Sequence, residues 1–419
     1  MPEVLLPVPD PSRAGAPRLA VSMLGSLPPV KGVSAYTAHL LAALAADGDV
    51  DLEFIGFSSI YPRFAYPGGE PNEALVSTPQ FEGVRQRGQL AWYNPFSWLR
   101  AGFSLKGDVV HAQWWSYALA PVYATILGLA RVRGKRVVIT VHNVAPHEGG
   151  IAKRLLNRVI FAFGHAFIVH SEQNRDALQH AVGGDPARIS VLPHGVLDTP
   201  RTGLSRASAR LRLGVPGDAK MLLYFGHIRP YKGVDVLLRA FAAVVREQPD
   251  AVLVIAGKPW GDWARHEALI DESGIRASIR LHLDFVATAD VEAYFVAADA
   301  VVLPYTHFDA QTGVGTRALP FARPLIVTRT GGLPELVLDP ECVVAPGDVP
   351  ALAQAITRVL GDAALRVRLS ADSLAIARTL GWDRIAGETI AVYEAVCGRA
   401  GAAGAKEQSI AQAAGARTT

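Results

Sequence analysis

The chain has 419 residues, of which 50% are hydrophobic and 19% charged, and this length predicts two ordinary domains better than one. Its net charge of +3 and pI near 8.8 are too weakly basic for a nucleic-acid-binding protein, but leave an anionic substrate or an acidic membrane surface open. The only two cysteines, Cys342 and Cys397, exclude a disulfide framework and a cysteine-rich metal site. We therefore expect a cytoplasmic protein.

The amino terminus carries five prolines within its first 17 residues and lacks both the basic and the apolar segments of a signal peptide. We expect residues 1–17 to form a flexible leader. The uncharged stretch 109–130 is long enough for a membrane span but contains His111, Gln113 and Pro121. A buried strand followed by a buried helix is the better prediction for it.

Apolar, strand-like runs alternate with helical patterns from residue 18 onward. The runs are 18–24, 51–57, 108–115, 136–143, 166–171 and 189–193, and the helical patterns include 33–46, 151–163 and 172–182. Nearly continuous apolar runs are typical of parallel strands that are covered on both faces. The sequence therefore predicts an α/β fold with a doubly wound parallel sheet, as an amino-terminal Rossmann-like domain over 18–200.

A polar interval at 197–220 is rich in glycine and proline and is the best candidate for a linker. Strand-like runs then return at 221–228, 251–258, 279–286, 300–305, 324–330 and 342–346, which predicts a second Rossmann-like domain over 201–380. We expect a helix at 381–400 to pack back on the first domain and 401–419 to form a disordered tail. Two such domains, facing each other through the carboxyl ends of their strands, would bind ligands in the cleft between them.

The segment FGHIRPYKG (225–233) predicts a phosphate site. It joins the end of a strand to the start of a helix and contains Arg229 and Lys232, three residues apart. Two cations beside the free N–H groups of a helix start form an anion site, in which arginine binds phosphate oxygens in pairs and lysine acts as a point charge. The plain alternative is two surface residues near a turn.

Several motifs follow one another in a specific order and spacing. They are PPVKGVSAYTAHLLAAL after the first strand, TVHNVAPH (140–147), FIVHSEQNRDAL (167–178), VLPHGV (191–196), FGHIRPYKG, ADAVVLPY (298–305) and THFDAQTGVGTRALPFARPLIVTRTGGLPELV (306–337). Together they resemble the GT-B glycosyltransferases of glycosyltransferase family 4, a retaining group, over roughly 18–400. The resemblance implies two Rossmann-like domains and a nucleotide-sugar donor.

The resemblance also implies roles for individual residues. Arg229 and Lys232 would neutralise the charge that develops on the leaving diphosphate, although His227 stands where the family commonly has an arginine. His142 would lie beside the donor sugar, through its side chain or its carbonyl, with a histidine that merely packs at a strand end as the alternative. Asn143 and His147 are candidate acceptor contacts.

The remaining donor-binding candidates lie in two loops. Gly32 would let the backbone approach the diphosphate or the acceptor, in a place where the family usually has two glycines and this chain has Lys31 before Gly32. Gly226 ends the strand before Arg229. The family's E-x7-E motif falls on Asp309 and Arg317, so the second carboxylate is replaced by a cation. Backbone N–H groups that could meet the sugar and phosphate belong to the residues Gln311, Thr312, Gly313 and Val314.

Other sequence signatures are missing. There is no G-x-G-x-x-G after the first strand and no Walker A sequence, which argues against nicotinamide and ATP as ligands. The run Asp47, Asp49 and Asp51 is typical of a solvated turn rather than of a metal clamp. We therefore expect metal-independent transfer and no cofactor beyond the donor substrate.

These observations favour a glycosyltransferase that moves a hexosyl unit, with retention, from a UDP- or GDP-sugar to a glycan, a lipid-linked or a small-molecule acceptor. A nucleotide-sugar epimerase of similar architecture and a non-catalytic sugar-nucleotide-binding subunit are the alternatives.

Peripheral contact with an anionic membrane, at the inner membrane face, also remains open. Between Arg131 and Arg158 seven basic residues accompany one acidic residue, Glu148, and the segment 90–100 interleaves four aromatic side chains with Arg100. A solvated charged face and buried aromatics explain the same pattern.

Overall fold

The computed structural model describes residues 18–28, 33–60, 79–144, 151–197, 199–308 and 312–399, with the backbone alone for 151–154. The chain forms two α/β units. The first takes the chain up to Gly195 and again from Trp382, and the second runs from Val196 to Gly381.

The first unit is built on a parallel sheet of seven strands in the order β3-β2-β1-β4-β5-β6-β7. The strands are β1 (Leu19–Leu24), β2 (Val50–Ser59), β3 (Arg85–Ala91), β4 (Val109–Trp114), β5 (Arg136–Val141), β6 (Ala166–Val169) and β7 (Ile189–Val191). The helices are α1 (Ser34–Asp47), α2 (Pro95–Ser104), α3 (Ala120–Val132), α4 (Ile151–Phe161), α5 (Glu172–Val182) and, at the end of the chain, α13 (Trp382–Val396). The strand order reverses at β1, as in a Rossmann fold.

The second unit repeats this plan with six parallel strands in the order β10-β9-β8-β11-β12-β13. The strands are β8 (Lys220–Phe225), β9 (Ala251–Ala256), β10 (Ile279–His282), β11 (Ala300–Leu303), β12 (Leu325–Thr328) and β13 (Val343–Val344). The helices are α6 (Arg206–Arg212), α7 (Val234–Glu247), α8 (Ala264–Glu272), α9 (Val291–Ala297), α10 (Gly313–Ala318), α11 (Val349–Gly361) and α12 (Ala363–Thr379). The prediction of two doubly wound parallel sheets is confirmed.

The central strands are buried and mostly apolar because helices cover both faces of each sheet. All residues of β4 and of β9 are buried, for example. In the first unit, α13 packs on α1, where Ile385 and Tyr393 join Tyr36 and Leu40 in one hydrophobic cluster. The stretch 109–130 is a buried strand followed by a mostly buried helix, as predicted.

Two elements of the first unit escaped prediction from the sequence. β3 reads RQRGQLA and pairs only with β2 at the edge of the sheet, so most of its side chains are partly exposed and its apolar pattern is weak. Next to it, α2 begins with Asn94 as its N-cap, whose side chain accepts a hydrogen bond from the backbone N–H of Phe96.

Two predictions for the second unit were wrong in part. The interval 197–220 is not entirely linker, because it contains α6, whose buried Arg210 forms an ion pair with Asp299 at 2.8 Å. The run 279–286 is a strand only as far as His282, after which the side chains of Asp284 and Phe285 are partly or largely exposed. No helix in the described part of the chain combines the length and the apolar composition needed to cross a bilayer.

Candidate functional site

The turn after β8 contains two glycines with positive φ and packs against the loop after β11. Gly226 has φ +106° and Gly233 has φ +67°, both in the region that glycine tolerates best. A Cβ on Gly233 would lie 2.0 Å from the carbonyl oxygen of Pro304, so the turn packs directly on the loop after β11. The backbone N–H of Thr306 donates to the carbonyl of Tyr231 at 2.7 Å and holds the two loops together.

This packing places Lys232 inside the carboxyl edge of the second sheet. Its side chain is buried, and Nζ lies 5.0 Å from the centre of the Tyr305 ring, a cation–π distance. A Cβ on Gly226 would come within 3.4 Å of the same Nζ. Lys232 forms no ion pair with any residue that the structure describes. A buried ammonium without a carboxylate partner favours an anion as its ligand.

Arg229 lies at the mouth of the same turn. Its guanidinium carbon is 4.3 Å from the centre of the Trp260 ring. Trp260 is held in place because its backbone N–H donates to the carbonyl of Ile228 at 2.8 Å. Among the described residues Arg229, too, has no ion-pair partner. A guanidinium without a carboxylate partner can bind phosphate oxygens in pairs.

Helix α10 approaches the end of β8 from the other side. Thr312 is its N-cap and accepts from the backbone N–H of Val314 at 3.3 Å, and its hydroxyl lies 3.3 Å from that of Tyr305. The Val314 side chain would be 3.2 Å from a Cβ on Gly226. The structure thus brings Gly226, Lys232, Thr312 and Val314 together around Tyr305, with Gly313 at the first position of the helix.

Arg317 lies on the last turn of α10 and is half-buried. Its Nε is buried and has no hydrogen-bond partner in the described part of the chain. Burial lowers the pKa of the guanidinium, although arginine stays charged at neutral pH. Arg317 is therefore not a fully exposed residue on the helix surface.

The first unit places His142 directly after β5. The imidazole is buried, with Nε2 2.8 Å from Gln113 Oε1 and Nδ1 3.1 Å from His170 Nε2. Burial, followed by the neighbouring His170, lowers the pKa of His142 well below its usual value. Both ring nitrogens already have partners inside the unit. Asn143 is also engaged, since its Nδ2 donates to the carbonyl of Trp115 at 3.1 Å.

Four predicted site residues, Gly32, His147, Asp309 and Gln311, lie outside the described residues.

In the described part of the chain no group of three or more His, Cys, Asp or Glu side chains could hold a metal ion. The Asp47–Asp51 run lies at the turn from α1 into β2, where Asp51 pairs with Arg85 at 3.0 Å. That turn precedes the amino end of β2, away from the carboxyl edge.

Sequence reasoning missed the aromatic supports Trp260 and Tyr305 and the partners Gln113 and His170. One signal was available for the first unit, because β4 to β7 carry histidine within the strand or within three residues of its end, in the segments VVHAQW, TVHN, IVHS and VLPHG. Nothing in the local sequence indicates that Trp260 contacts Arg229.

Models of known families match both units of the chain. Residues 30–198 match the family described as Glycosyltransferase Family 4, and residues 219–362 match the family described as Glycosyl transferases group 1. Together these segments cover most of both units.

Relatives and solved structures agree with these matches. A D-inositol 3-phosphate glycosyltransferase of Kineococcus radiotolerans is 31% identical over 323 residues, 71% of this chain and 74% of the relative. A sucrose-phosphate synthase structure from Thermosynechococcus elongatus superposes with a TM-score of 0.69 at 19% identity, over 91% of this chain and all of the other. Anabaena HepE in complex with UDP-glucose gives 0.66 at 16% identity, over 91% of this chain and all of the other.

The solved structures show that the fold is GT-B, since both superpose over nearly the whole chain. The relatives are transferases and do not favour an epimerase or a non-catalytic subunit. The chain therefore belongs to glycosyltransferase family 4, among the group 1 glycosyltransferases.

Proposed function

We propose that this glycosyltransferase moves a hexosyl unit from a UDP- or GDP-sugar to an acceptor, with retention of anomeric configuration and without a metal ion. The observation that carries the proposal is the pair Lys232 and Arg229, two cations without ion-pair partners in the described chain, at the carboxyl edge of the second sheet. A diphosphate would supply the missing charge.

The donor chemistry follows from this basic pair. As the bond between the anomeric carbon and the diphosphate oxygen breaks, negative charge accumulates on the leaving group, where Lys232 and Arg229 stabilise it. The new bond joins the same carbon to an acceptor oxygen, and the acceptor proton passes to the departing phosphate oxygen. Gly226, Thr312, Gly313 and Val314 complete the surface next to Lys232. Asp309 and Gln311 are proposed to meet the sugar, and His142 to lie beside it.

The acceptor is proposed from the relatives, several of which are D-inositol 3-phosphate glycosyltransferases. A phosphorylated polyol is therefore the first acceptor to test. Arg317, with its buried and unpartnered Nε, is proposed to contribute charge to the anionic end of the donor. Gly32, Asn143 and His147 remain candidate contacts in the first unit.

The test is a matrix of donors and acceptors. Purified protein is incubated with UDP-glucose, UDP-N-acetylglucosamine or GDP-mannose, each with and without inositol 3-phosphate, and released nucleotide and product are measured. We expect acceptor-dependent release with one donor, and an equatorial anomeric proton in the product as in the α-linked donor. Inversion of configuration, or conversion of the donor to its epimer without transfer, would contradict the proposal.

We also propose that the first unit docks on an anionic membrane. Helix α3 packs on both α2 and α4, and these helices expose large apolar side chains: Phe96 (82% exposed), Phe103 (63%), Val132 (86%) and Leu155 (62%). Arg100, Arg131 and Arg158 are exposed on the same three helices. Trp92 and Trp98, by contrast, pack against the core. Apolar side chains beside basic ones suit an interface with anionic lipid.

Vesicle sedimentation tests this second proposal. The double variant Phe96→Ser and Phe103→Ser should bind phosphatidylglycerol vesicles more weakly than the wild type, whereas Phe285→Ser, which removes an exposed phenylalanine of the second unit, should not. Equal binding to neutral phosphatidylcholine vesicles, or no binding at low salt, would refute it.

A further inference from the structure

A row of buried polar side chains crosses the carboxyl half of the first sheet. Tyr393 OH lies 2.6 Å from His111 Nδ1, and His111 Nε2 lies 2.7 Å from Thr140 Oγ1 and 3.4 Å from the Gln113 amide. Gln113 contacts His142 at 2.8 Å and His142 contacts His170 at 3.1 Å. At the far end His170 Nδ1 lies 2.9 Å from the carbonyl oxygen of Leu192.

The number of protons restricts how this row can be hydrogen-bonded. The three contacts from Gln113 Oε1 through His142 and His170 to the Leu192 carbonyl need one proton each. Both end atoms are oxygens that only accept, so all three protons would have to come from the two imidazoles. Two neutral imidazoles carry only two protons. One of the rings would therefore have to be charged.

The surroundings oppose a charged ring. Burial lowers the pKa of His170 to about 4 and holds that of His142 well below its usual value. The titratable side chains that face the row are Tyr36 from α1, Tyr393 from α13 and His194 after β7. No carboxylate of the described residues hydrogen-bonds to the rings, so no ion pair in the described part of the chain compensates a buried positive charge there.

Reversing the Gln113 carboxamide removes the conflict, because its N–H₂ group can then donate to His142 Nε2. His142 then donates from Nδ1 to His170 Nε2, and His170 donates from Nδ1 to the Leu192 carbonyl. On the other side, Tyr393 donates to His111 Nδ1, and His111 donates from Nε2 to Thr140 Oγ1, with the Gln113 oxygen facing it. Every bond then points the same way with neutral rings.

We propose that this one-way relay from Tyr393 to Leu192 fixes His142 as the neutral Nδ1–H tautomer, and that Gln113 and His170 are positioning residues for the segment that follows β5. The backbone of His142 is held as well as its ring, since the backbone N–H of His142 donates to the carbonyl of Trp114 at 3.0 Å. With both nitrogens occupied, the His142 ring offers no free donor or acceptor to a ligand. This positioning role rests on the proposed function; the tautomer does not.

Nitrogen NMR on the full chain with ¹⁵N-histidine tests the tautomers directly. His142 and His170 should show the Nδ1–H pattern and His111 the Nε2–H pattern, and all three rings should stay neutral from pH 8 to pH 5. Assignment uses the loss of each signal in single His→Gln variants. An imidazolium signal at pH 7, or an Nε2–H pattern for His142, would overturn the relay whether or not a substrate has been found.

Gln113→Glu tests the positioning role. A carboxylate only accepts, so the row would again need a third proton, now beside a negative charge that favours it. We expect the pKa of the His142–His170 pair to rise toward neutrality and kcat to fall at least tenfold at pH 7 with KM for the donor less affected. Gln173→Glu, on the exposed face of α5, is the matched control. An unchanged kcat and pH profile in a folded Gln113→Glu variant would refute the positioning role.

Discussion

The carboxyl edges of the two sheets differ in how their polar groups are satisfied. In the first unit His111, His142 and His170 are buried and hydrogen-bonded to other side chains or to backbone of the same unit. In the second unit Lys232 lies over the Tyr305 ring and Arg229 over the Trp260 ring, and neither has an ion-pair partner among the described residues. The polar groups of the first edge are paired within the unit, whereas the cations of the second edge are the ones that we propose to pair with an anionic ligand.

The largest expected effect comes from removing the cations of the second edge. Lys232→Ala and Arg229→Ala should each lower kcat by about 100-fold or more, because each deletes a preorganised charge that stabilises the leaving diphosphate. Turnover of the identified donor is the measurement.

Matched controls for these variants lie in the same unit. Lys220→Ala and Arg239→Ala each remove a surface cation that pairs with a nearby aspartate, at 3.1 Å from Asp250 and 3.3 Å from Asp235. They should leave kcat within twofold of the wild type. Loss of activity in the controls, or near-normal kcat in Lys232→Ala, would remove the distinction between the two edges.

Lowering the pH should destabilise the sheet of the first unit more than the sheet of the second. Burial depresses the pKa of His111 to about 3 and of His170 to about 4, below the unfolded value near 6.5. The contribution of these histidines to the free energy of unfolding is therefore fully present above pH 6.5. It is lost as the pH falls from 6.5 toward their native pKa values, because the unfolded chain binds protons that the buried rings do not bind. Each such histidine costs about 1.4 kcal/mol per pH unit.

Hydrogen exchange at pH 7 and pH 5, corrected for the intrinsic exchange rate, measures this for each sheet separately. We expect β4 to β6 to lose more protection than β8 and β9, since among the described residues of the second unit the histidines with a lowered pKa are the part-buried His266 and His282. Equal losses in the two sheets would show that the buried histidines do not set the acid response.

The aromatic supports of the cations should have a smaller effect. Trp260→Leu removes the face on which Arg229 stacks, and Tyr305→Leu removes the face under Lys232. A cation–π contact contributes about 0.5–2 kcal/mol, which predicts roughly 2- to 30-fold weaker donor binding. Calorimetric titration with the nucleoside diphosphate measures it. Trp263→Leu, which stacks on His266 at 4.6 Å instead, serves as the control and should bind normally.

Removing divalent metal ions with a chelator should have the smallest effect on activity. If the cations of the second edge alone neutralise the diphosphate, activity measured in excess EDTA should equal that measured in Mg²⁺ or Mn²⁺. A strict requirement for added Mn²⁺ would mean that the basic pair does not suffice and that a metal shares its role.

The amino-acid sequence by itself determined the two parallel sheets and the basic turn after β8. Alternating apolar runs and helical patterns are local features, and Arg229 and Lys232 are close in the chain, so both could be predicted without knowing any distant contact. The edge strand β3 could not, because its polar residues carry too weak an apolar pattern.

Only the tertiary structure decided what surrounds these groups. Tyr305 reaches Lys232 from the loop after β11, and Tyr393 reaches His111 from a helix 282 residues further along the chain. Neither contact can be predicted from the residues adjacent to it in the sequence. The charge state of His142 was equally hidden, since it depends on burial and on a count of protons shared with Gln113 and His170. Burial and pairing are properties of the packed chain, and packing brings together residues that the sequence keeps apart.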